Sequence, residues 1–341
     1  MADRTLSPVT GAPPIVHTPA SSTIDLRPFT TSELIDRGFS LYRSHFAGFF
    51  LLALLCQAAP LLNQILVTAL NLNPSQTDVL QEPQQAFLKL GIIAFLGALS
   101  HIVVFCFEII ITFYIADAYL GKIPSVTDSM RKFTGNIPWA IWTSLLSMAL
   151  IAITFIFPLG ALGAPYFYAL VYPPTGWISG ILLIAAAFVL FIISLVPLLA
   201  VFMRLMLIVP ALALEGMNGW KAVWRSSSLV RYDPGLGILY WGEMRLSFLL
   251  LPLFIIELLI LSLTSLPLVI YQITEAIRHG GGQMTPPPDS TVIISQIMTF
   301  LAISLILPLY PIATTLFYYD IRIRREGFDL EVMARQLGEE P

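Results

Sequence analysis

The sequence predicts an all-α membrane protein with six transmembrane helices, cytoplasmic amphipathic helices and a weak parallel internal repeat. Of its 341 residues, 57% are hydrophobic and only 11% are charged, and the mean hydropathy is +0.81. The apolar residues form blocks of about 20 or more, which is long enough to cross a bilayer core of ~30 Å. These observations exclude a soluble enzyme and a disordered protein, because too few polar residues remain to cover a surface in water. The net charge of −3 gives no basic field, so we expect no nucleic-acid partner.

The N-terminal part predicts a tail followed by a surface helix. Residues 1–29 are polar and rich in Pro, Ser and Thr, which is typical of a disordered tail. Thr30 and Glu33 have the spacing of a capping box, with Thr30 as the N-cap. We expect this box to open an amphipathic helix that runs to about Ser44 and lies on the membrane surface. The alternative is a short helix packed on the cytoplasmic loops.

Six apolar segments then predict six spans within a membrane domain of residues 30–318. The second and fourth spans are longer than a bilayer requires, so they must tilt, kink or protrude. Pro197 and Pro210 are the expected kink sites in the fourth span. The predicted spans are residues 45–70, 87–120, 139–164, 177–214, 246–271 and 291–318.

The positions of the basic residues predict the orientation of the chain. With these spans, 16 of the 18 Lys and Arg residues fall on one side, leaving Lys89 and Arg278 for the other. The excess of basic residues marks the cytoplasmic side, so both termini are expected to be cytoplasmic. Residues 319–341 are then expected to form a cytoplasmic amphipathic tail.

The internal repeat is visible where the second and fourth spans end. Each long span meets a glycine, Gly121 or Gly216, about 95 positions apart, and a short basic amphipathic segment follows. Both copies cross the membrane in the same direction, so the repeat is parallel. Secondary transporters more often contain inverted repeats, so the pattern weakens a transporter interpretation.

Ionisable residues inside the spans are the main functional candidates, because an unpaired charge at membrane depth is costly. His101 and Glu108 lie seven positions apart in the second span, on one helical face, and Arg204 lies in the fourth. We expect Glu108 and Arg204 to pair inside the bundle and to line a polar cavity with His101 beside it. The alternatives are an ion pair that only fixes helix register, or no contact. Glu257, alone among Leu and Ile, should be protonated or turned toward the bundle interior.

No arrangement of residues predicts catalysis or a cofactor. The sequence contains no Gly-rich phosphate loop, HExxH, GxSxG or CxxC motif. Cys56 and Cys106 both lie within apolar spans and are typical of small buried hydrophobic residues, and the four histidines lack metal-ligand spacing. We therefore expect a protein that is not an enzyme and that has no metal and no cofactor.

The C-terminal end of the sixth span carries three arginines, Arg322, Arg324 and Arg325. Such a cluster anchors a span by the positive-inside rule and can bind anionic lipid headgroups. We expect these residues to contact lipid or a membrane or cytosolic protein partner. A simple anchor for the last span is the alternative.

Three segments resemble a bacterial multi-pass membrane family related to the membrane domain of glycerophosphoryl diester phosphodiesterases. They are residues 319–330 (YDIRIRREGFDL), residues 27–43 and, more weakly, residues 210–226, so that the resemblance spans residues 27–331. It implies six helices in a bacterial cytoplasmic membrane. It brings no phosphodiesterase activity and no catalytic residues, because that chemistry belongs to a separate barrel domain of ~250 residues, for which there is no room here.

These observations predict a non-catalytic integral membrane protein that organises protein partners or lipids in the bacterial cytoplasmic membrane. The alternative is a transporter or lipid carrier with a polar cavity between spans two and four. A mid-membrane cavity would favour the carrier, and a core closed by Leu, Ile and Phe would favour the organising protein.

Overall fold

The computed structural model describes residues 27–72, 82–171, 176–231, 242–279, 287–328 and 330. Within these residues the chain is helical and contains no strand, which confirms the predicted fold class. The twelve described helices are α1 Thr31–Ser44, α2 Phe46–Ala69, α3 Pro83–Tyr119, α4 Val126–Thr134, α5 Ile137–Val171, α6 Trp177–Leu205, α7 Ile208–Glu215, α8 Trp220–Val230, α9 Gly242–Thr264, α10 Leu266–His279, α11 Asp289–Ile306 and α12 Leu309–Glu326.

Six segments in the described part are long and apolar enough to cross a membrane, in agreement with the six predicted spans. The fourth, which joins α6 and α7, has the highest mean hydropathy, 3.0, and none of its most apolar window is buried within the protein. In a bilayer that surface would face lipid. The six segments are Phe46–Ala69, Gln84–Tyr119, Ile137–Gly163, Trp177–Glu215, Gly242–Thr264 and Ser290–Glu326.

Prolines explain where the long spans break. A proline has no N–H and its ring clashes with the carbonyl four residues earlier, so it kinks or breaks a helix. The breaks between α6 and α7, α9 and α10, and α11 and α12 come shortly before Pro210, Pro267 and Pro311. The predicted kink at Pro210 therefore coincides with a helix break, whereas Pro197 lies inside the continuous helix α6.

One end of the bundle collects the short amphipathic helices and is called the basic end below. It comprises α1, α4, α8 and the C-terminal half of α12. Tyr119, at the end of α3, stacks on Tyr319 of α12 with ring centroids 5.1 Å apart. Lys132 of α4 forms an ion pair of 2.5 Å with Asp117 of α3, which holds α4 against the bundle.

The predicted domain boundaries at the two ends of the chain do not match the packing. Helix α12 continues through position 319 to Glu326, and Tyr319, Asp320 and Ile321 are buried. Phe29, which the sequence places in the disordered tail, is 1% exposed. Both boundaries differ for the same reason, because the Phe29 amide donates a hydrogen bond to Asp320 of α12. Residues 1–26 and 331–341 lie outside the described residues.

The capping box at α1 forms as predicted. The Glu33 amide donates to Thr30 Oγ1 at 3.3 Å, and the Thr30 amide donates to the Glu33 carboxylate at 2.8 Å. These bonds satisfy two N–H groups that have no partner within the helix. Helix α1 then buries Leu34 and Gly38, and Gly38 lies against Ile312 and Leu316 of α12. The helix therefore packs on α12 of the sixth span, whereas the alternative interpretation places it on the cytoplasmic loops. Its position on the membrane surface stays a prediction.

The two halves of the predicted repeat share a backbone pattern. Gly121 after α3 and Gly216 after α7 both adopt the left-handed region, with φ of 69° and 65°. Glycine adopts this conformation without steric cost. A short helix follows each glycine, α4 in one case and α8 in the other.

Candidate functional site

A cavity of about 640 Å³ lies inside the bundle. Side chains from α3, α5, α6, α7, α9 and α12 line it, so five of the six spans contribute. Most of the lining residues are Leu, Ile, Val, Phe and Met. Its volume lies within the range typical of sites that bind small molecules.

Six polar side chains interrupt the apolar lining: His101, Glu108, Ser147, Ser247, Glu257 and Tyr310. Counted from the basic end at 1.5 Å per residue, Ser147, Glu108 and Glu257 lie about 15, 16 and 22 Å along their helices. A bilayer core is ~30 Å thick. Ser147 and Glu108 therefore lie near the middle of a core of this thickness, and Glu257 lies somewhat beyond it. His101, seven residues before Glu108, lies about 10 Å further from the basic end along α3.

Two of these groups are joined and two have no partner. The Tyr310 hydroxyl donates to the Glu257 carboxylate at 2.5 Å. His101 Nε2 is buried and has no hydrogen-bond partner. No ion pair or hydrogen bond to the Glu108 carboxylate is found among the described residues. A buried polar group without a partner costs about 1–3 kcal/mol, so this arrangement is costly when the cavity is dry.

Exposed apolar side chains of two spans contribute to the lining of the cavity. They are Leu199 and Phe202 on α6, and Leu251 and Phe254 on α9. These four side chains are 41% to 55% exposed. In a membrane such exposed apolar residues face lipid tails. An alkyl chain could therefore enter from the bilayer and leave its polar end among the carboxyl groups.

The chemistry of the lining selects against anions. It holds two carboxyl groups and no Lys or Arg. An anionic group here would be both desolvated and repelled, while an ammonium or a hydroxyl would gain partners. The described residues contain no group of three or more His, Cys, Asp or Glu that could hold a metal ion.

The structure separates the predicted cluster of His101, Glu108 and Arg204. His101 and Glu108 do line one cavity, but Arg204 is not part of its lining. Instead Arg204 Nε donates to Glu243 at 2.8 Å, and the Arg204 side chain is 46% exposed. The predicted pair of Glu108 with Arg204 is therefore wrong. The long Arg204 side chain reaches out of the bundle to an acid in the first turn of α9.

The three C-terminal arginines make contacts within the chain. Arg322 pairs with Glu326 at 3.0 Å and with Glu215 at 3.5 Å. Arg324 binds the Asp320 carboxylate at 2.9 Å, and Arg325 donates to two backbone carbonyls at the end of α8. Their expected contact with lipid or a partner stays a prediction, since these guanidinium groups already have partners.

Tyr310 and Ser147 were not identified as site residues from the sequence. Glu257 was singled out as an acid turned toward the bundle interior or protonated, and its bond to Tyr310 agrees with the inward orientation. Tyr310 gives no sequence signal, because tyrosines are common near the ends of spans. Ser147 likewise resembles other small polar residues in apolar helices.

No family model, no curated protein and no solved structure matches this chain.

Proposed function

We propose that this protein is a lipid-handling membrane protein that binds one amphiphile with a cationic or hydroxyl-bearing polar end in the bundle cavity. The observation that carries the proposal is a single cavity whose lining combines exposed apolar side chains of α6 and α9 with the carboxyl groups of Glu108 and Glu257. The alkyl chain would lie in the apolar part, and the polar end would meet the two acids. This is the carrier interpretation of the sequence, and the cavity favours it over a closed core.

Electrostatics support the choice of polar end. A carboxylate buried in a low-dielectric medium needs a proton or a positive partner, because transferring an isolated charge out of water is very costly. Glu108 has neither an arginine nor a lysine beside it in the cavity. An ammonium group supplies the missing charge, and a hydroxyl hydrogen-bonds to a protonated acid.

We further propose that the protein lies in the bacterial cytoplasmic membrane with the basic end and both termini in the cytoplasm. The positive-inside rule supports this orientation, as does the position of α1, α4 and α8 at one end. Relationship to the membrane domain of glycerophosphoryl diester phosphodiesterases remains a proposal that rests on the resemblance alone. Absence of catalysis is proposed because the cavity lacks a nucleophile activated by a base.

We propose a second role, in which this protein organises protein partners in the membrane. Trp220 and Trp224 lie one turn apart on α8 and are 54% and 61% exposed. Exposed tryptophans on a short helix are typical of a membrane interface or a binding surface. Either use is compatible with a lipid-filled cavity.

The test uses three probes that share one chain length: tetradecylamine, tetradecanol and myristate. Native mass spectrometry of the purified full chain counts the molecules that remain bound. We expect one tetradecylamine per chain and no bound myristate. Glu108→Gln should weaken tetradecylamine binding about tenfold, while tetradecanol binding changes little because an amide also accepts a hydrogen bond.

Two matched controls separate the cavity from the surface. Ser147→Trp fills the cavity and should abolish binding of both probes, whereas Ser262→Trp adds the same side chain on the exposed face of α9 and should not. Glu82→Gln removes an exposed acid and should leave binding intact. Equal binding of myristate and tetradecylamine, or unchanged amine binding in Glu108→Gln and Glu257→Gln, would contradict the proposal.

A further inference from the structure

A second cavity of about 280 Å³ lies between α2, α10 and α11, apart from the first. No residue of the first cavity belongs to its lining. Counted along α2 from the basic end, Gln57 and Gln64 lie at about 16 and 27 Å, so the cavity reaches into the half of the bilayer away from that end. Its lining contains no Asp, Glu, Lys, Arg or His.

Three glutamine side chains, Gln57, Gln64 and Gln296, contribute to the lining. Gln57 and Gln64 are seven residues apart and share one face of α2, with Pro60 between them. Gln296 faces them from α11, and its Nε2 atom is buried without a hydrogen-bond partner. Three amides turned into one cavity in an otherwise apolar region are costly unless something binds them.

Two hydroxyl groups of the lining are already used as donors. Ser295 Oγ donates to the Thr264 carbonyl at 2.9 Å, and Thr299 Oγ1 donates to the Ser295 carbonyl at 2.8 Å. Their oxygens can still accept a hydrogen bond. The cavity therefore offers amide N–H donors together with several acceptors, all uncharged.

The surroundings of the cavity are apolar and face outward. Leu61, Val292 and Phe300 complete the lining beside the polar groups. Leu62 on α2 and Ile293 on α11, which follow lining residues in the sequence, are 57% and 52% exposed. A molecule held by the glutamines would thus have a path for an alkyl chain into the bilayer.

We propose that this second cavity binds the uncharged, hydroxyl-rich headgroup of an amphiphile. A hydroxyl both donates and accepts, which matches a carboxamide on both counts. A charged headgroup would have no counter-ion in this cavity, so no ion pair would offset the free-energy cost of its desolvation. The site stands independently of the one proposed above, because the two cavities share no lining residue and differ in charge.

The test uses a monoacylglycerol with a diazirine in its alkyl chain, added to the full-length protein in phosphatidylcholine nanodiscs. After illumination, mass spectrometry of peptides locates the labelled residues. We expect labelling in α2 and α11, reduced at least about fivefold in Gln296→Leu and in Gln57→Leu. Unlabelled monoacylglycerol should compete, and tetradecylamine should not.

Matched variants decide between the two cavities. Gln272→Leu removes an exposed amide on α10 outside the lining, and Glu108→Gln alters only the first cavity, so both should label like the wild type. Labelling unchanged in Gln296→Leu and Gln57→Leu would overturn the proposal, and so would labelling confined to α3 and α9. A glutamine-to-leucine change suits a lipid environment, and thermal unfolding of each variant checks that it is folded.

Discussion

The basic end and the bundle cavity both bring several ionisable groups together, but they treat them in opposite ways. At the basic end, Asp320 accepts from the Phe29 amide at 2.7 Å, from Arg245 at 2.9 Å and from Arg324 at 2.9 Å. Its side chain is 0% exposed. In the cavity, Glu108 has no such partner. Paired charges hold segments together, whereas charges that face a void are available to a ligand.

A second network at the basic end also pairs its charged groups with one another. Arg225 of α8 forms two bonds of 2.7 Å to Glu215 at the end of α7 and two bonds to Glu326 at the end of α12. Tyr318 donates to the same Glu215 carboxylate. These contacts join the neighbouring helices α7 and α8 to α12, about 100 positions further along the chain. Hydrogen bonds that Arg225 donates to Glu326 and Glu215 raise the pKa of Arg225, so its charge persists at any ordinary pH.

Replacement of Asp320 should have the largest effect on stability. Asp320→Asn leaves Arg245 and Arg324 without their counter-charge at a buried site, which costs about 3–5 kcal/mol. The free energy of unfolding, measured by denaturant titration in mixed micelles, should fall by that amount. Asp36→Asn removes an exposed acid on α1 and serves as the control, with little expected change. A loss of under ~1 kcal/mol for Asp320→Asn would refute its structural role.

Arg225→Lys should have an intermediate effect. Lysine keeps the charge but cannot form the paired bonds that a guanidinium makes with two carboxylates. We expect a loss of about 1–3 kcal/mol in the same titration. Arg43→Lys, at an exposed position of α1, is the matched control and should change stability little. Equal stability of the two variants would show that α8 is held by packing alone.

Substitution of polar residues in the bundle cavity should change the free energy of unfolding less than substitution at the basic end. Glu108→Gln removes a charge that pairs with nothing in the described chain, so its unfolding free energy should change by less than ~1 kcal/mol. Tyr310→Phe removes one hydrogen bond and should cost about 1 kcal/mol. Binding of tetradecylamine should weaken in both. A loss of stability as large as that of Asp320→Asn would remove the contrast between the two regions.

The smallest effect concerns pH and the capping box of α1. The Thr30 amide and the Arg27 guanidinium lower the pKa of Glu33 from 4.5 to about 2. Because the folded-state pKa is lowered, the contribution is complete above the unfolded value and is lost as the pH falls from about 4.5 to about 2. Hydrogen exchange of the first α1 amides should show this loss in the wild type. Glu33→Gln should show weaker protection without that pH dependence.

The sequence predicted the parts of the fold that depend on local chemistry. Apolar length identified the six spans, the Thr30–Glu33 spacing identified the start of α1, and Pro210 identified the break in the fourth span. The burial of Phe29 by α12 could not be predicted, because it depends on residues about 290 positions apart. A single aromatic residue in a polar tail carries no signal of that contact.

Some of the polar residues that line the cavity could be recognised from the sequence. His101 and Glu108 were found because a seven-residue spacing places them on one helical face. Their relation to Glu257 and Tyr310 depends on how α3, α9 and α12 pack together, which hydropathy does not encode. Arg204 was placed with them because opposite charges in two spans suggest a pair, but Glu243 at the start of α9 provides a partner outside the bundle.

The most direct test of the central claim measures how tetradecylamine changes the unfolding free energy of the wild type and of Glu108→Gln. A ligand that binds only the folded state stabilises it by about 2.7 kcal/mol at one hundred times its Kd. We expect that increase in the wild type and a gain smaller by about 1.4 kcal/mol in Glu108→Gln at the same concentration, because a tenfold weaker affinity corresponds to this difference. Identical stabilisation of both proteins, or none in the wild type, would contradict the account that Glu108 is held for a ligand.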